Sequence, residues 1–562
     1  MRRHTRLILD SLVLGLVGAL AAGVFIELLR LAQRLFLGGI AGYSPPALPS
    51  GGGSLQQVIG AHGLWLIPLA TTLGGLLSGV LVYSLAPEAE GHGTDTAIKA
   101  FHRAAGFIRA RVAPIKAVAS AITIGSGGSA GREGPTALFS AAFGSVYASL
   151  GHRSEADRRL LVLVGMASGL SAIFRSPIGT AIFAVEVLYS EMEFEAAALI
   201  YTMLGAVTAY SVVGIFVGWS PLFRVPQELS LPGLLDNGWY VVLGIVAGLV
   251  AALLPVVFYG TRDLFRRLPG PPHVKPAIGG LGVGLLALVL PQVLGGGYGW
   301  IQMAIDGKLA ATLLLALVVA KLAAFALTVS SGGSGGVFAP TLFVGAMLGG
   351  FMADICHMPA APFAIVGMGA VFAGAAQVPI ATLLMVAEMT GGFALLVPAA
   401  LSIMISYLLQ RQLSGRWKYR SLYEAQVLSP VRSPAHHVDH IRSTLRLLGD
   451  HPVLKPEAVG HVDLQTLLES GIPIDLGDDN QLAMVELSDG SPWIDKPIRE
   501  VCASVGGDDL EMMLVIRGHE LLPIASRSPL QIGDRLLLIA TPGAHDRLNA
   551  LGRPVENPVD VD

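Results

Sequence analysis

Gly125–Pro135 reads GSGGSAGREGP and sets Arg132 and Glu133 in a run of small residues between the apolar stretches 113–124 and 136–150. A carboxylate at membrane depth is costly and marks function. The chain then repeats itself: Gly127–Thr136 is GGSAGREGPT and Gly332–Thr341, 205 residues on, is GGSGGVFAPT, with Val337 and Phe338 in the places of Arg132 and Glu133. Gly165–Glu186 (GMASGL, then SPIGTAIFAVE) recurs about 202 residues on as Gly367–Glu388 (GMGAVF, then VPIATLLMVAE). Two like halves, each with apolar segments interrupted by glycine, are the mark of transporter and channel folds.

Of the 562 residues 53% are hydrophobic and only 14% charged, with 69 glycines, and the mean hydropathy is +0.63. A soluble domain carries about a quarter charged residues, so the chain reads as a polytopic membrane protein, and with its repeated, glycine-broken halves the expected fold class is all-α with inverted internal repeats and broken helices. A formal net charge of −3, without a Lys/Arg block, leaves no footprint for nucleic acid. Cys356 and Cys502 are too few and too far apart for a disulfide framework or metal cluster and read as packing residues. The N-terminus runs MRRHTR and is then mostly apolar from Leu12 to Leu37, too long for a signal peptide and without a clear cleavage site. It is read as the first membrane helix, with Arg2, Arg3 and Arg6 holding that terminus in the cytoplasm.

Further apolar segments fall near 64–86, 113–124, 136–150, 160–172, 177–190, 196–217, 238–259, 277–294, 309–329, 337–354, 361–374, 378–388 and 393–409. Several are shorter than the roughly 20 residues that cross the hydrocarbon, so they are expected to be tilted or half-spanning helices ending inside the protein, their loops lining a cavity or buried. A helix start inside a membrane presents unpaired N–H groups and a positive dipole end, which suits an anion. Gly91–Thr96 (GHGTDT), the GREGP segment and the GGVFAP segment each put glycines before an apolar helical run. The other reading of such glycines is close helix packing; three in repeated context favour an anion site.

On these motifs, over roughly residues 8–430, the chain resembles the CLC family of chloride channels and chloride/proton exchangers. GREGP at Gly131–Pro135 is similar to the family's gating segment, GGVFAP at Gly335–Pro340 to its second anion loop, and Tyr423 in SLYEA to the tyrosine closing the inner end of the pore. The resemblance implies that Glu133 is the gating carboxylate, taking the outer anion site when ionised and leaving it when protonated or displaced. It also implies an anion-binding set of His92, Gly93, Arg132, Gly134, Val337, Phe338, Ala339 and Tyr423, with Phe338 offering its backbone N–H and Tyr423 its hydroxyl. No cofactor is expected beyond bound chloride ions.

Two departures bear on mechanism. The family's first loop commonly reads GSGIP, whereas this chain has Gly91-His92-Gly93-Thr94-Asp95, so His92 replaces a serine. An imidazole can donate to chloride, or turn aside and leave the backbone to bind; Asp95 reads as an N-cap. Proton-coupled members typically carry two consecutive glutamates where this chain has Glu186 and then Val187. Valine carries no proton, so the reading is passive or weakly proton-coupled anion conduction gated by Glu133, with chloride/proton antiport as the alternative. Glu186 and Glu388 hold equivalent places in the two halves and read as structural carboxylates for free backbone N–H groups.

Residues 1–428 therefore form the permeation domain, its repeats spanning about 60–217 and 238–410. Residues 429–480 read as a polar cytoplasmic connector with a short helix near 440–448. From 481 to 545 the pattern of short strands and turns is that of a small soluble α/β domain. It resembles the C-terminal (TrkA-C type) domain of potassium-channel RCK regulators at Ser491-Pro492, Ile516-Arg517-Gly518, Pro523 and Gly533–Ile539, which implies dimerisation and a small regulatory ligand, with Arg517, His519 and Arg535 as contacts or as ordinary solvated charges. A tail, 546–562, follows. A multi-pass location in a prokaryotic plasma membrane with both termini cytoplasmic is expected, in contact with membrane lipid. The family resemblance implies a homodimer, for which the 196–217 and 393–409 helices are interface candidates. An intramembrane enzyme is disfavoured because HExxH and GxSxG motifs are absent; a non-conducting sensor would be separated by a liposome flux assay.

Overall fold

The computed structural model describes residues 3–225, 237–415, 417–430, 433, 435, 474–477, 480–489, 491–505, 510–517, 520–522, 526–540 and 552–554. The chain divides into two compact units, Met1–Leu428 and Ser429–Asp562.

In the first unit helices come in two matching series of eight. The first is α1 (Arg3–Gln33), α2 (Ile67–Leu85), α3 (Thr94–Arg103), α4 (Val112–Gly125), α5 (Glu133–Leu150), α6 (Glu155–Phe174), α7 (Pro177–Glu186) and α8 (Ala196–Val217). The second is α9 (Asn237–Arg267), α10 (Lys275–Ala287), α11 (Tyr298–Ile305), α12 (Ala311–Ser330), α13 (Phe338–Ile355), α14 (Ala360–Ala376), α15 (Pro379–Thr390) and α16 (Leu396–Ser414). Among the described residues seven helices are long and apolar enough to cross a membrane, while others, such as α7 with 10 residues and α15 with 12, are too short.

The short helices end inside protein, and their polar ends are satisfied there. Glu186, at the end of α7, accepts hydrogen bonds from Ile380 N at 3.1 Å and Ala381 N at 2.7 Å, in the first turn of α15. Glu388, near the end of α15, accepts from Ser176 Oγ at 2.6 Å, Gly179 N at 2.9 Å and Ile178 N at 3.2 Å, in the first turn of α7. Each half thus caps the other's helix start, which requires α7 and α15 to run antiparallel: an inverted relation written in hydrogen bonds.

α1 begins nine residues before the apolar run because its polar residues have partners. Asp157 receives Arg3 at 2.7 Å and Arg6 at 3.1 Å, and buried Asp10 accepts from Arg153 at 2.9 Å and Tyr147 at 2.8 Å. After α16 the chain turns back into the unit. Leu422 N donates to Ala375 O at 2.9 Å, Tyr259 Oη to Leu422 O at 3.0 Å, Arg262 to Glu424 at 2.6 Å, and Ser190 N to Val427 O at 2.9 Å. This strap carries Tyr423 into the core.

The second unit holds an antiparallel sheet in the order 474–477, 480–487, 535–540, 510–517, 520–522, with 552–554 also pairing on 480–487. A helix, Ile498–Val505, packs its Ile498 and Val501 with Val485, Val515, Leu536 and Leu538. Arg517 is held by buried Asp534 through two bonds of 2.8 Å, and Arg535 lies 3.3 Å from Glu486. His519, Gly518, Pro523, the 440–448 helix and most of the tail lie outside the described residues. Cys502 packs beside Met512, at 3.4 Å between sulfurs, where burial pushes its thiol up; Cys356 packs against the helical core.

Candidate functional site

Three helix starts meet at the centre of the first unit. α5 starts at Glu133 with Arg132 in the capping place, α13 starts at Phe338 with Val337 in the capping place, and α3 follows Gly93. The loops are stitched by backbone: Gly131 N donates to Gly336 O and Gly336 N to Gly131 O, both at 2.7 Å, and Gly335 N donates to Gly91 O at 3.2 Å. Glycine is required for this approach. A Cβ on Gly336 would stand 2.7 Å from Gly134 N, and one on Gly93, whose φ is +88°, would stand 2.8 Å from Gly134 O.

Glu133 is fully buried. One carboxylate oxygen accepts the Tyr298 hydroxyl; the other accepts Ala339 N, in the first turn of α13, at 3.3 Å. Arg132 Nε is 3.7 Å from the first oxygen. The carboxylate thereby occupies what the physics of a helix N-terminus makes an anion seat. The Phe338 ring points into a cluster with Phe174, Phe183 and Phe372, centroids 4.8, 5.3 and 3.8 Å away, so what Phe338 can offer an ion is its backbone.

His92 and Tyr423 form a second group, their ring centroids 5.5 Å apart, with Phe258 6.0 Å from His92 and Phe183 6.4 Å from Tyr423. His92 Nδ1 and Tyr423 Oη are both buried and complete no hydrogen bond within the protein. Two unmet polar groups in an apolar pocket cost about 1–3 kcal/mol each unless a ligand meets them; a phenol and an imidazole N–H are donors, and the ligand they fit is an anion. His92→Ala in the full chain is expected to weaken chloride binding by roughly tenfold, the worth of one hydrogen bond to a charged partner; titration calorimetry in detergent reads this directly, and an unchanged affinity assigns the site to the backbone.

Asp95 is not the N-cap expected of it. Gly93 takes that position with its left-handed turn, and the Asp95 carboxylate, one turn-residue in, accepts Ala425 N at 2.8 Å and so fastens the Tyr423 strap to α3. Val187 is fully buried at the end of α7 and offers no group to a proton.

Sequence reasoning passed over three residues. Lys116 and Lys321 are fully buried lysines; Lys116 Nζ donates to Ala89 O at 2.9 Å and Gly91 O at 2.6 Å, and Lys321 Nζ to Val293 O at 2.8 Å and Gly295 O at 2.6 Å. Each lysine braces the loop before a broken helix, α3 or α11. Their signal was present: lysines inside apolar runs, spaced by 205 residues, the interval of the repeat. The third is Tyr298, in Gly295-Gly296-Gly297-Tyr298, the counterpart of Gly91-His92-Gly93-Thr94. Among the described residues no cluster of three His, Cys, Asp or Glu side chains is placed to hold a metal ion.

A family model described as voltage gated chloride channel matches residues 74–411. The H(+)/Cl(-) exchange transporter ClcA of Salmonella arizonae is 33% identical over 387 residues, 66% of this chain and 81% of that protein. The protein of that name from Citrobacter koseri is 31% identical over 433 residues, 74% of this chain and 88% of its own length. Among solved structures, a CLC-type fluoride/proton antiporter superposes with a TM-score of 0.64 at 23% identity, over 76% of this chain and 100% of that one. A slow cyanobacterial Cl-/H+ antiporter does so with a TM-score of 0.63 at 22% identity, over 78% and 96%. At those identities the superpositions speak for the fold.

Proposed function

Because the chain belongs to the CLC family of voltage gated chloride channels, we propose that it moves chloride across a membrane in exchange for protons, with Glu133 as the gate. The observation that carries the anion reading is the seat of Glu133, a carboxylate lodged in the first turn of α13 and held by an N–H and a hydroxyl. An ionised Glu133 competes for that seat as an anion; protonation removes its charge and its claim, and chloride enters. His92 and Tyr423 then offer a second resting place for the ion, one side chain from each of two loops.

The exchange reading replaces the passive conduction that Val187 favoured. What supports it is that relatives 33% and 31% identical to this chain over the aligned residues are named as H(+)/Cl(-) exchangers. Protons would then reach Glu133 without a carboxylate at position 187, by way of water. The test is a tenfold chloride gradient across proteoliposomes with potassium conductance clamped at the proton equilibrium potential. Uphill proton movement is expected; chloride flux without it would return the protein to the passive reading.

Two copies are proposed to pair through α8 and α16, whose outward residues include Ile200, Ile215, Val397 and Leu408, with both termini cytoplasmic. The second unit is proposed to be a TrkA-C-like regulatory domain. Its Arg517 is held by buried Asp534, whereas Arg535 pairs with Glu486 where both side chains are exposed, so Arg535 is the better candidate for contact with a small ligand.

A further inference from the structure

We propose that Tyr298 is the latch of the gate: a positioning residue from the second repeat whose hydroxyl holds the Glu133 carboxylate in its seat and so sets how much acid or anion is needed to displace it. The inference rests on Glu133 being the gate and goes beyond it by naming what keeps the gate closed.

Tyr298 is the first residue of α11, and α11 corresponds to α3. The two helices are entered by loops of one design. Gly93 and Gly297 have φ of +88° and +74°, and a buried lysine, Lys116 or Lys321, bonds two carbonyls in each loop. In the first repeat this loop delivers His92 to Tyr423. In the second it delivers a phenol to the gating carboxylate.

The phenol is fixed from several sides while its partner is a flexible side chain. The Phe223 ring stacks on Tyr298 at 6.0 Å, and the Arg132 guanidinium lies 4.7 Å from the centre of its ring. α11 is itself pinned: Gln302 accepts Arg224 N at 2.9 Å, donates to Arg224 O at 2.7 Å, and donates to Asp306 at 2.8 Å. A donor held this rigidly loses little freedom on bonding, so its preference for a charged acceptor is expressed in the equilibrium of the acceptor. The charged and titratable groups around Glu133 among the described residues are Arg132 on its own segment, Tyr298 from α11, Tyr423 from the strap and, beyond Arg132, Arg175 after α6. Tyr298 and Arg132 are the side chains at its oxygens, and both favour the ionised, seated form.

Tyr298→Phe keeps the ring, its stacking and its contact with Arg132, and removes only the hydroxyl. In the full chain reconstituted in liposomes, with chloride efflux followed against pH, the midpoint is expected to move to higher pH by about one unit, with efflux on the alkaline side rising roughly tenfold, the worth of one hydrogen bond to a charged acceptor. Tyr298→His, which restores a ring donor, is expected to return the midpoint part of the way. In a Glu133→Gln background Tyr298→Phe is expected to change nothing. A Tyr298→Phe profile superimposable on that of the unaltered chain overturns the latch, as does a shift that persists in the Glu133→Gln background. If Glu133→Gln alone leaves the pH profile unaltered, the gate reading fails; if it flattens the profile while Tyr298→Phe does not move it, the latch alone fails.

Discussion

Glu133→Gln is expected to flatten the pH dependence of chloride flux and to abolish the movement of protons against their gradient. The amide has the carboxylate's shape but keeps one acceptor oxygen for two donors, Tyr298 and Ala339 N, so the packing at the junction of the three loops is preserved while one of these hydrogen bonds is lost. What it lacks is charge. An anion at a helix N-terminus is favoured by up to about 2 kcal/mol in a partly buried setting, so removing the resident charge is worth roughly five- to thirtyfold in access for chloride on the alkaline side, where the native gate is ionised. Efflux from liposomes over the range in which a carboxylate titrates checks this. A variant that keeps both the rate and its pH dependence would remove Glu133 from the pathway and with it the reading of the seat.

Glu388→Ala is expected to cause the largest loss of stability. The carboxylate serves three donors at the start of α7, namely Ser176 Oγ and two backbone N–H groups. Ser176 and Gly179 are buried, whereas Ile178 lies at the exposed edge of the cluster. Removing the carboxylate leaves the buried donors without an acceptor, at about 1–3 kcal/mol each. Glu388→Gln, with one acceptor oxygen left, is expected to lose less, and Glu186→Ala to resemble Glu388→Ala because it uncaps α15 in the same manner. Thermal midpoints of the detergent-solubilised protein decide the ranking. Unchanged midpoints would mean that the helix starts are satisfied some other way, and a transport pH profile that shifts in step with Glu388→Gln would make the residue part of the proton route instead.

The sequence and the structure divide the information along physical lines. Membrane character, the internal repeat and the small-residue loops were legible in the chain, because a bilayer restricts composition and length so strongly that apolar runs of the wrong length announce broken helices. Glu133 was legible for the same reason: a carboxylate between apolar runs is rare enough to stand out. The equivalence of Glu186 and Glu388 could be read from the repeat, and so could a task in bonding backbone N–H groups. Which N–H groups could not: inverted repeats were expected, but an interval of about 202 residues does not say which helix starts the two carboxylates meet, and that appears only when α7 and α15 are seen capping each other.

Elsewhere local chemistry pointed one way and the fold another. Asp95, two residues after Gly93, looks like a cap, but a left-handed Gly93 takes that place and frees the carboxylate to hold a strap 330 residues away. Val187 spoke against proton coupling because absence of a carboxylate at one position is visible in a string of letters, and the exchange proposed above rests instead on the relatives named as exchangers. Lys116 and Lys321 sat in plain view in apolar runs, yet their partners are backbone carbonyls, which every residue possesses and no sequence distinguishes. Tyr298 shows the limit most clearly. It looks like one more aromatic residue after a glycine turn, and 165 residues separate it from Glu133. The composition and periodicity of the chain determined that there would be broken helices with an acid among them; only the inverted packing of one half on the other decided which phenol would reach that acid, because side-chain contacts between repeats depend on the axis relating them and that axis has no local signature in sequence.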